Sequence, residues 1–159
     1  MAVRHSEYEL TPGQTYVTPQ WVWEILYDRF PRFRGAYECC PANSTFDFTR
    51  DHTIRKDIAT NPPYGREAER IVRHALHVTE LAPRIYGEGG GVAMLLPHAW
   101  DTAKGRVDLW SYPFRCKIVL TQRIRWENLE QKAAGPSMNH AWYVFDWSVR
   151  CGLPRTVWA

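Results

Sequence analysis

Asp57-Ile58-Ala59-Thr60-Asn61-Pro62-Pro63-Tyr64-Gly65 is the stretch on which the reading of this chain turns. Asp57 to Thr60 reads as a short strand. Pro62 and Pro63 lack a backbone N–H and fix φ, so neither a sheet ladder nor a helix continues through them. Gly65 permits a sharp turn. Behind it Ala68, Ile71, Val72, Ala75, Leu76 and Thr79 share one face at helical spacing, which predicts a helix over residues 66–82. Asn61-Pro62-Pro63-Tyr64 therefore sits at the carboxyl end of a strand, where open α/β sheets place their ligands.

Upstream, Thr18-Pro19 reads as a helix start, with Thr18 as cap and Pro19 at the first helical position. Trp21, Val22, Ile25, Leu26 and Phe30 form the apolar stripe of that helix, and Pro31 ends it. Gly35 to Cys39 reads as a short strand, and Pro41 to Arg55 as loop with an extended piece near Phe46-Asp47-Phe48. Downstream, Gly87, Gly89, Gly90 and Gly91 make a loose turn before Val92-Ala93-Met94-Leu95-Leu96, a continuous apolar run expected of a buried parallel strand. Residues 100–111 suggest a helix, Cys116 to Leu120 and Ala141 to Phe145 suggest strands, and residues 127–139 suggest a polar loop. Alternating strands and helices argue for an α/β fold with a largely parallel sheet. Residues 1–15 read as a polar N-terminal arm and residues 16–159 as a single domain.

Of the 159 residues, 45% are hydrophobic and 23% charged, which places the chain among ordinary globular proteins. No segment has the length of an apolar membrane span. The polar start, Met1 to Pro12, carries no apolar signal core, so the expected location is the cytoplasm of a bacterial or phage-infected cell, away from membranes. The net charge of +3 permits nucleic-acid binding without requiring it. Eight Trp and eight Tyr supply rings that either stack on bases or fill the core. Cys39, Cys40, Cys116 and Cys151 lack the paired spacing of a zinc site and fit reduced thiols. His74 and His77 share a helical face with no third ligand in view, so no metal is expected.

The chemistry concentrates at residues 61–64. An exocyclic base amine is a poor nucleophile because its lone pair is delocalised into the ring. Two fixed acceptors, the Asn61 side-chain oxygen and the Pro62 carbonyl, suit such an amine and aim it at an electrophilic methyl. Tyr64 offers a ring to stack on a base taken out of a duplex. The plainer reading of the same residues is a proline-rich turn carrying a surface tyrosine.

Thr60 to Gly65 resembles the catalytic motif of the S-adenosylmethionine-dependent N6-adenine DNA methyltransferases of phage type. Tyr16-Val17-Thr18-Pro19 resembles the upstream motif that contacts the methionine part of the cofactor. Tyr37-Glu38-Cys39 resembles the acidic start of the first cofactor motif, and Asp47-Phe48 the pair that flanks the cofactor adenine. Val92 to Pro97, Arg106, Arg123 to Trp126 and His140 to Asp146 follow in the family's order, so the resemblance spans about residues 15–147. It implies a class I methyltransferase, Rossmann-like fold with a shortened first half, and S-adenosyl-L-methionine as cofactor. It implies adenine-containing DNA as partner. Asn61, Pro62, Pro63 and Tyr64 become the catalytic group, and Tyr16, Thr18, Pro19, Glu38, Asp47 and Phe48 the cofactor-binding group.

One departure stands out. The first cofactor motif of the family runs into a glycine-rich turn, whereas Cys40-Pro41-Ala42-Asn43 contains no glycine, and Glu38 lies only 23 positions before Asn61. No residue corresponds to the family's ribose contact. This opens a second reading, a catalytically inactive, methyltransferase-like nucleic-acid-binding protein or subunit. In a third, a homo- or hetero-oligomeric partner completes the cofactor site. Glu38 itself reads equally as a ligand contact or as a surface carboxylate at a strand end. Arg123 and Arg125 alternate on an expected strand and would face phosphates or solvent together.

Overall fold

The computed structural model describes residues 16–41, 46–128, 138–149 and 152–159. Its helices are α1 (Gln20–Arg29), α2 (Arg66–Thr79) and α3 (Ala82–Tyr86). Its strands are β1 (Tyr16–Val17), β2 (Asp57–Thr60), β3 (Gly91–Pro97), β4 (Phe114–Val119), β5 (Glu127–Asn128), β6 (His140–Asp146) and β7 (Arg155–Trp158). The expected polar arm, residues 1–15, lies outside the described residues, as do residues 129–137 of the expected loop.

Five strands form one sheet in the order β2-β3-β6-β4-β7. β2 pairs parallel with β3, and β4 with β7, while β6 runs antiparallel to both β3 and β4. The sheet is thus mixed where a largely parallel one was expected. An apolar run buried on both faces looks the same in either direction, so the reversal of β6 leaves no periodic trace. The α/β class stands, and a five-stranded mixed sheet flanked by helices is compatible with a Rossmann-like fold.

Alternation along β3 and β6 sorts side chains onto two faces. Val92, Met94, Leu96, Ala141, Tyr143 and Phe145 pack beneath α2, against Ala68, Ile71, Val72, Ala75 and Leu76. Ala93, Leu95, Trp142 and Val144 pack on the other face, against Val22 and Leu26 of α1. Two indoles bolt helices to the sheet: Trp142 Nε1 donates to the Val22 carbonyl at 3.0 Å, and Trp147 Nε1 to that of Leu76 at 3.0 Å. At the amino end of β2, Arg32 bridges Asp57 (2.7 Å) and Asp146 (3.0 Å), tying β2 to the far end of the reversed β6.

Local expectations fared unevenly. The stripe of α2 is buried as read, although the helix stops at Thr79 and a short α3 follows. Gly35 to Cys39 forms no full strand; a 3-10 turn over Pro31–Gly35 leads into a single parallel bridge from Tyr37 to Ile58. Residues 100–111 form two 3-10 segments, Trp100–Thr102 and Lys104–Ser111, parted by an extended Ala103. Antiparallel pairing of β1 with β5, and edge strand β7, went unread because two or four residues give too little pattern.

The glycine turn before β3 is tight. Gly90 has φ +92°, and a Cβ there would lie 2.8 Å from Pro83 Cγ and 2.9 Å from Trp147 Cβ, whereas Gly87, at φ +72°, faces open space. Gly87→Ala is expected to cost about 1 kcal/mol, for the left-handed backbone alone. Gly90→Ala adds a clash to that strain and is expected to cost about 3 kcal/mol. Urea unfolding of the two variants measures the difference; equal midpoints would contradict it.

Candidate active site at the carboxyl edge of the sheet

β6 runs against its neighbours, so its first residue lies on the same edge as the carboxyl ends of β2, β3 and β4; His140 pairs in register with Pro97. β2 stops at Thr60, Gly65 turns the chain at φ +88°, and α2 begins at Arg66. Asn61 is held between two hydroxyls. Its Nδ2 donates to Thr18 Oγ1 at 3.1 Å, and its Oδ1 accepts from the Tyr64 hydroxyl at 3.0 Å. Burial of that hydroxyl in a low-dielectric setting pushes the Tyr64 pKa well up, so it stays protonated and able to donate.

Thr18 does not cap α1 as expected. The helix starts at Gln20 with Pro19 at its cap position and no side-chain cap bond. The Thr18 hydroxyl instead accepts from Asn61, and this contact orients the amide.

Glu38 is drawn to the same place by the Tyr37 bridge, in which Tyr37 N–H donates to the Asp57 carbonyl (2.9 Å) and Ala59 N–H to that of Tyr37 (3.1 Å). The Thr60 hydroxyl donates to the Glu38 carboxylate. Burial raises the Glu38 pKa above its usual value, although Thr60 and the backbone N–H groups of Cys40 and Asn61 favour the ionised form. Glu38 is therefore no simple surface carboxylate.

Next to Pro63 lies a cavity of about 240 Å³ bounded by Cys40, Phe46, Asp47, Phe48, Glu67 and Ile71. Asp47 caps the 3-10 turn Phe48–Arg50, accepting from Thr49 N–H (3.1 Å) and Oγ1 (2.6 Å), and these bonds hold its carboxyl below the ordinary range. Phe48 is buried, with its ring 4.9 Å from that of His74 in edge contact. Phe46, read in the sequence only as part of an extended piece of loop, is 55% exposed and lines the same cavity.

The ten expected residues divide accordingly. Asn61, Tyr64, Thr18 and Glu38 meet around the end of β2; Pro63, Asp47 and Phe48 line the cavity; Pro62 is buried between the two groups in sequence. Pro19 does not line the cavity, and its carbonyl accepts from Val22 N–H at 3.0 Å; Tyr16 pairs through its backbone with Asn128.

A cluster of three rings completes the edge. The Tyr64 ring centroid is 5.4 Å from that of His140 and 6.5 Å from that of Trp126, and Trp126 meets His140 at 5.3 Å. The sequence left Trp126 among the rings that either stack on bases or fill the core. His140 read only as the opening of a strand, and its polar ring at the head of an apolar run was the missed signal. Arg123 and Arg125 are exposed but lie in coil, and Arg123 Nε donates to Asn139 Oδ1 at 2.9 Å. Among the described residues no group of three His, Cys, Asp or Glu side chains is placed to hold a metal. Among them, too, no helix is long and apolar enough to cross a membrane.

Comparison with known proteins found no matching family model, no similar curated protein and no matching solved structure.

The raised Glu38 pKa has a thermodynamic consequence. The folded chain binds this proton more tightly than the unfolded chain, so the stabilisation is present at low pH and is lost as pH rises from the usual 4.5 through the higher native value. A Glu38→Gln variant stays neutral throughout. Its melting temperature relative to the native chain is expected to rise from pH 4 to pH 8, read by scanning calorimetry at both. A difference independent of pH would contradict this assignment.

Proposed function

We propose that the chain is an S-adenosylmethionine-dependent methyltransferase acting on the exocyclic N6 of adenine in DNA. The observation that carries this reading is the Asn61 amide, fixed at the carboxyl end of β2 by Thr18, with its acceptor oxygen turned towards the Tyr64 hydroxyl. A base amine would take the place of that hydroxyl, donating to Asn61 Oδ1 and to the Pro62 carbonyl. Tyr64 would turn its ring onto the base once its hydroxyl is released.

The cavity suits the cofactor in kind. Phe46, Phe48, Pro63 and Ile71 offer apolar surface for a flat purine, and Glu38, outside the cavity lining but beside Asn61, would ionise against the cationic methionine end despite its burial. The cofactor, when bound, supplies a methyl on a sulfonium. That methyl would pass to N6 with the sulfur leaving as a neutral thioether, and the amine would give up one proton. Asn61 and Pro62 hold the amine in line and stabilise the charge that develops on it. No side chain at this edge needs to act as a strong base, because a methylated, positively charged amine gives up its proton readily to water.

A second reading, a nucleic-acid-binding relative without catalysis, draws support from the other side of Glu38. Among the described residues the outer edge of β2 carries only the Tyr37 bridge, and the cavity of about 240 Å³ falls below the roughly 300–1,000 Å³ of most small-molecule sites. A partner chain seated on that edge would enlarge it.

Calorimetric titration with S-adenosylmethionine, with and without an adenine-containing duplex, separates the readings. The methyltransferase reading predicts saturable binding; its absence under both conditions favours the binding module. Asn61→Ala is expected to slow methyl transfer about 100-fold or more while cofactor affinity changes little. Thr18→Val, which keeps the shape but frees the amide, is expected to slow it about tenfold, with Thr18→Ser restoring most of the rate. Undiminished transfer by Asn61→Ala would contradict the assignment.

A further inference from the structure

Resting on the adenine-transfer reading, we propose that His140 identifies the target base, its imidazole hydrogen-bonding a ring nitrogen of the extruded purine beside Tyr64. His140 opens β6 on the same sheet edge as Asn61 and is only 1% exposed. Both of its ring nitrogens are buried, and among the described residues neither makes a hydrogen bond of good geometry, the nearby Met138 backbone interacting only weakly with the ring. A buried polar ring left unsatisfied is costly, and native proteins supply it with a partner from the chain, from water or from a ligand.

The surroundings of this ring indicate a ligand. Its neighbours are aromatic: Tyr64 lies 5.4 Å away at a tilt of 34°, and Trp126 stands edge-on at 5.3 Å. These are the walls expected of a slot for a flat, partly apolar ring with polar edges. The same Tyr64 closes the slot, because its hydroxyl is anchored on Asn61 Oδ1. A base amine that claims Asn61 Oδ1 releases that anchor, and the tyrosine ring is then free to move off the imidazole and onto the base.

The charge state fits a base-reading role. Burial pushes the His140 pKa down to about 4, with the Met138 backbone offsetting this only in part, so the ring is neutral at physiological pH. A neutral imidazole carries one N–H donor and one bare nitrogen acceptor. Adenine exposes three ring nitrogens that accept, N1, N3 and N7, and all three stay available when Asn61 and Pro62 hold its amine, so a donor beside the base can satisfy one of them. An unpaired partner for that nitrogen rejects a base lacking it more strongly than apolar contact alone does.

The test measures methyl transfer to duplexes carrying 1-deaza-, 3-deaza- or 7-deazaadenine at the methylated position. The native chain is expected to lose about tenfold or more on one of the three analogues, the rate equivalent of one lost hydrogen bond. His140→Phe keeps the ring but removes both nitrogens. It is expected to lose a similar factor on adenine and to show no added loss on that analogue. His140→Gln, which keeps a donor, covers the case in which the apolar variant fails to fold and is expected to retain sensitivity to the analogue. Equal sensitivity of the native chain and of the folded His140→Phe variant to all three analogues would overturn the role of His140 while leaving methyl transfer standing. No transfer by the native chain to any duplex would overturn the transfer reading and this one together.

Discussion

Pro62 and Pro63 have no backbone N–H to donate, so the ladder between β2 and β3 ends at Thr60 paired with Met94. That stop decides where everything else at the site lies. Asn61 is the last residue before the break, and the chain leaves through a glycine with φ +88° directly into α2. The side chain of Asn61 therefore projects from a rigid strand end rather than from a loop. On its inner side the strand is held by β3, and on its outer side the Tyr37 bridge brings Glu38 within reach of the Thr60 hydroxyl.

The polar groups at this edge mostly satisfy one another. Asn61 gives a hydrogen to Thr18 and receives one from Tyr64, and Thr60 gives one to Glu38. Such mutual engagement fixes rotamers before a ligand arrives, which is how a site can be organised without moving water at the moment of reaction. Some groups break the pattern. Glu38 is buried enough to resist ionisation, and among the described residues neither nitrogen of the buried His140 is matched, nor are Trp100 Nε1 and Asp101 Oδ1 just beyond β3. Unsettled groups of this kind weaken the folded state and collect where a ligand is to be received. At the opposite end of the sheet Arg32 joins Asp57 and Asp146 in close ion pairs.

Much of this was legible in the sequence where a pattern repeats or a residue restricts the backbone. The stripe from Ala68 to Thr79, the apolar run of β3 and the proline stop each carry a physical rule, and the elements appear where the rules put them. The meeting of Thr18 with Asn61, 43 positions apart, follows no local rule, because it depends on how α1 docks against the sheet. For the same reason Thr18 read as a helix cap. The reversed β6 was illegible because burial on both faces erases the alternation that marks direction or edge. With β6 misread, the ring of His140 had no reason to be placed beside Tyr64. Phe46 was passed over because a lone aromatic in a loop signals nothing until the cavity beside it is seen.

The central claim is that this edge delivers a methyl group to an adenine amine, and analysis of the nucleoside product tests it most directly. The purified chain is incubated with S-adenosylmethionine carrying a deuterated methyl and with duplex DNA of mixed sequence, and the DNA is digested to nucleosides for mass spectrometry. The account predicts deuteromethylated N6-methyldeoxyadenosine and no methylated cytosine. Label on another base, or unlabelled nucleosides from a chain shown by calorimetry to bind both cofactor and DNA, would contradict it.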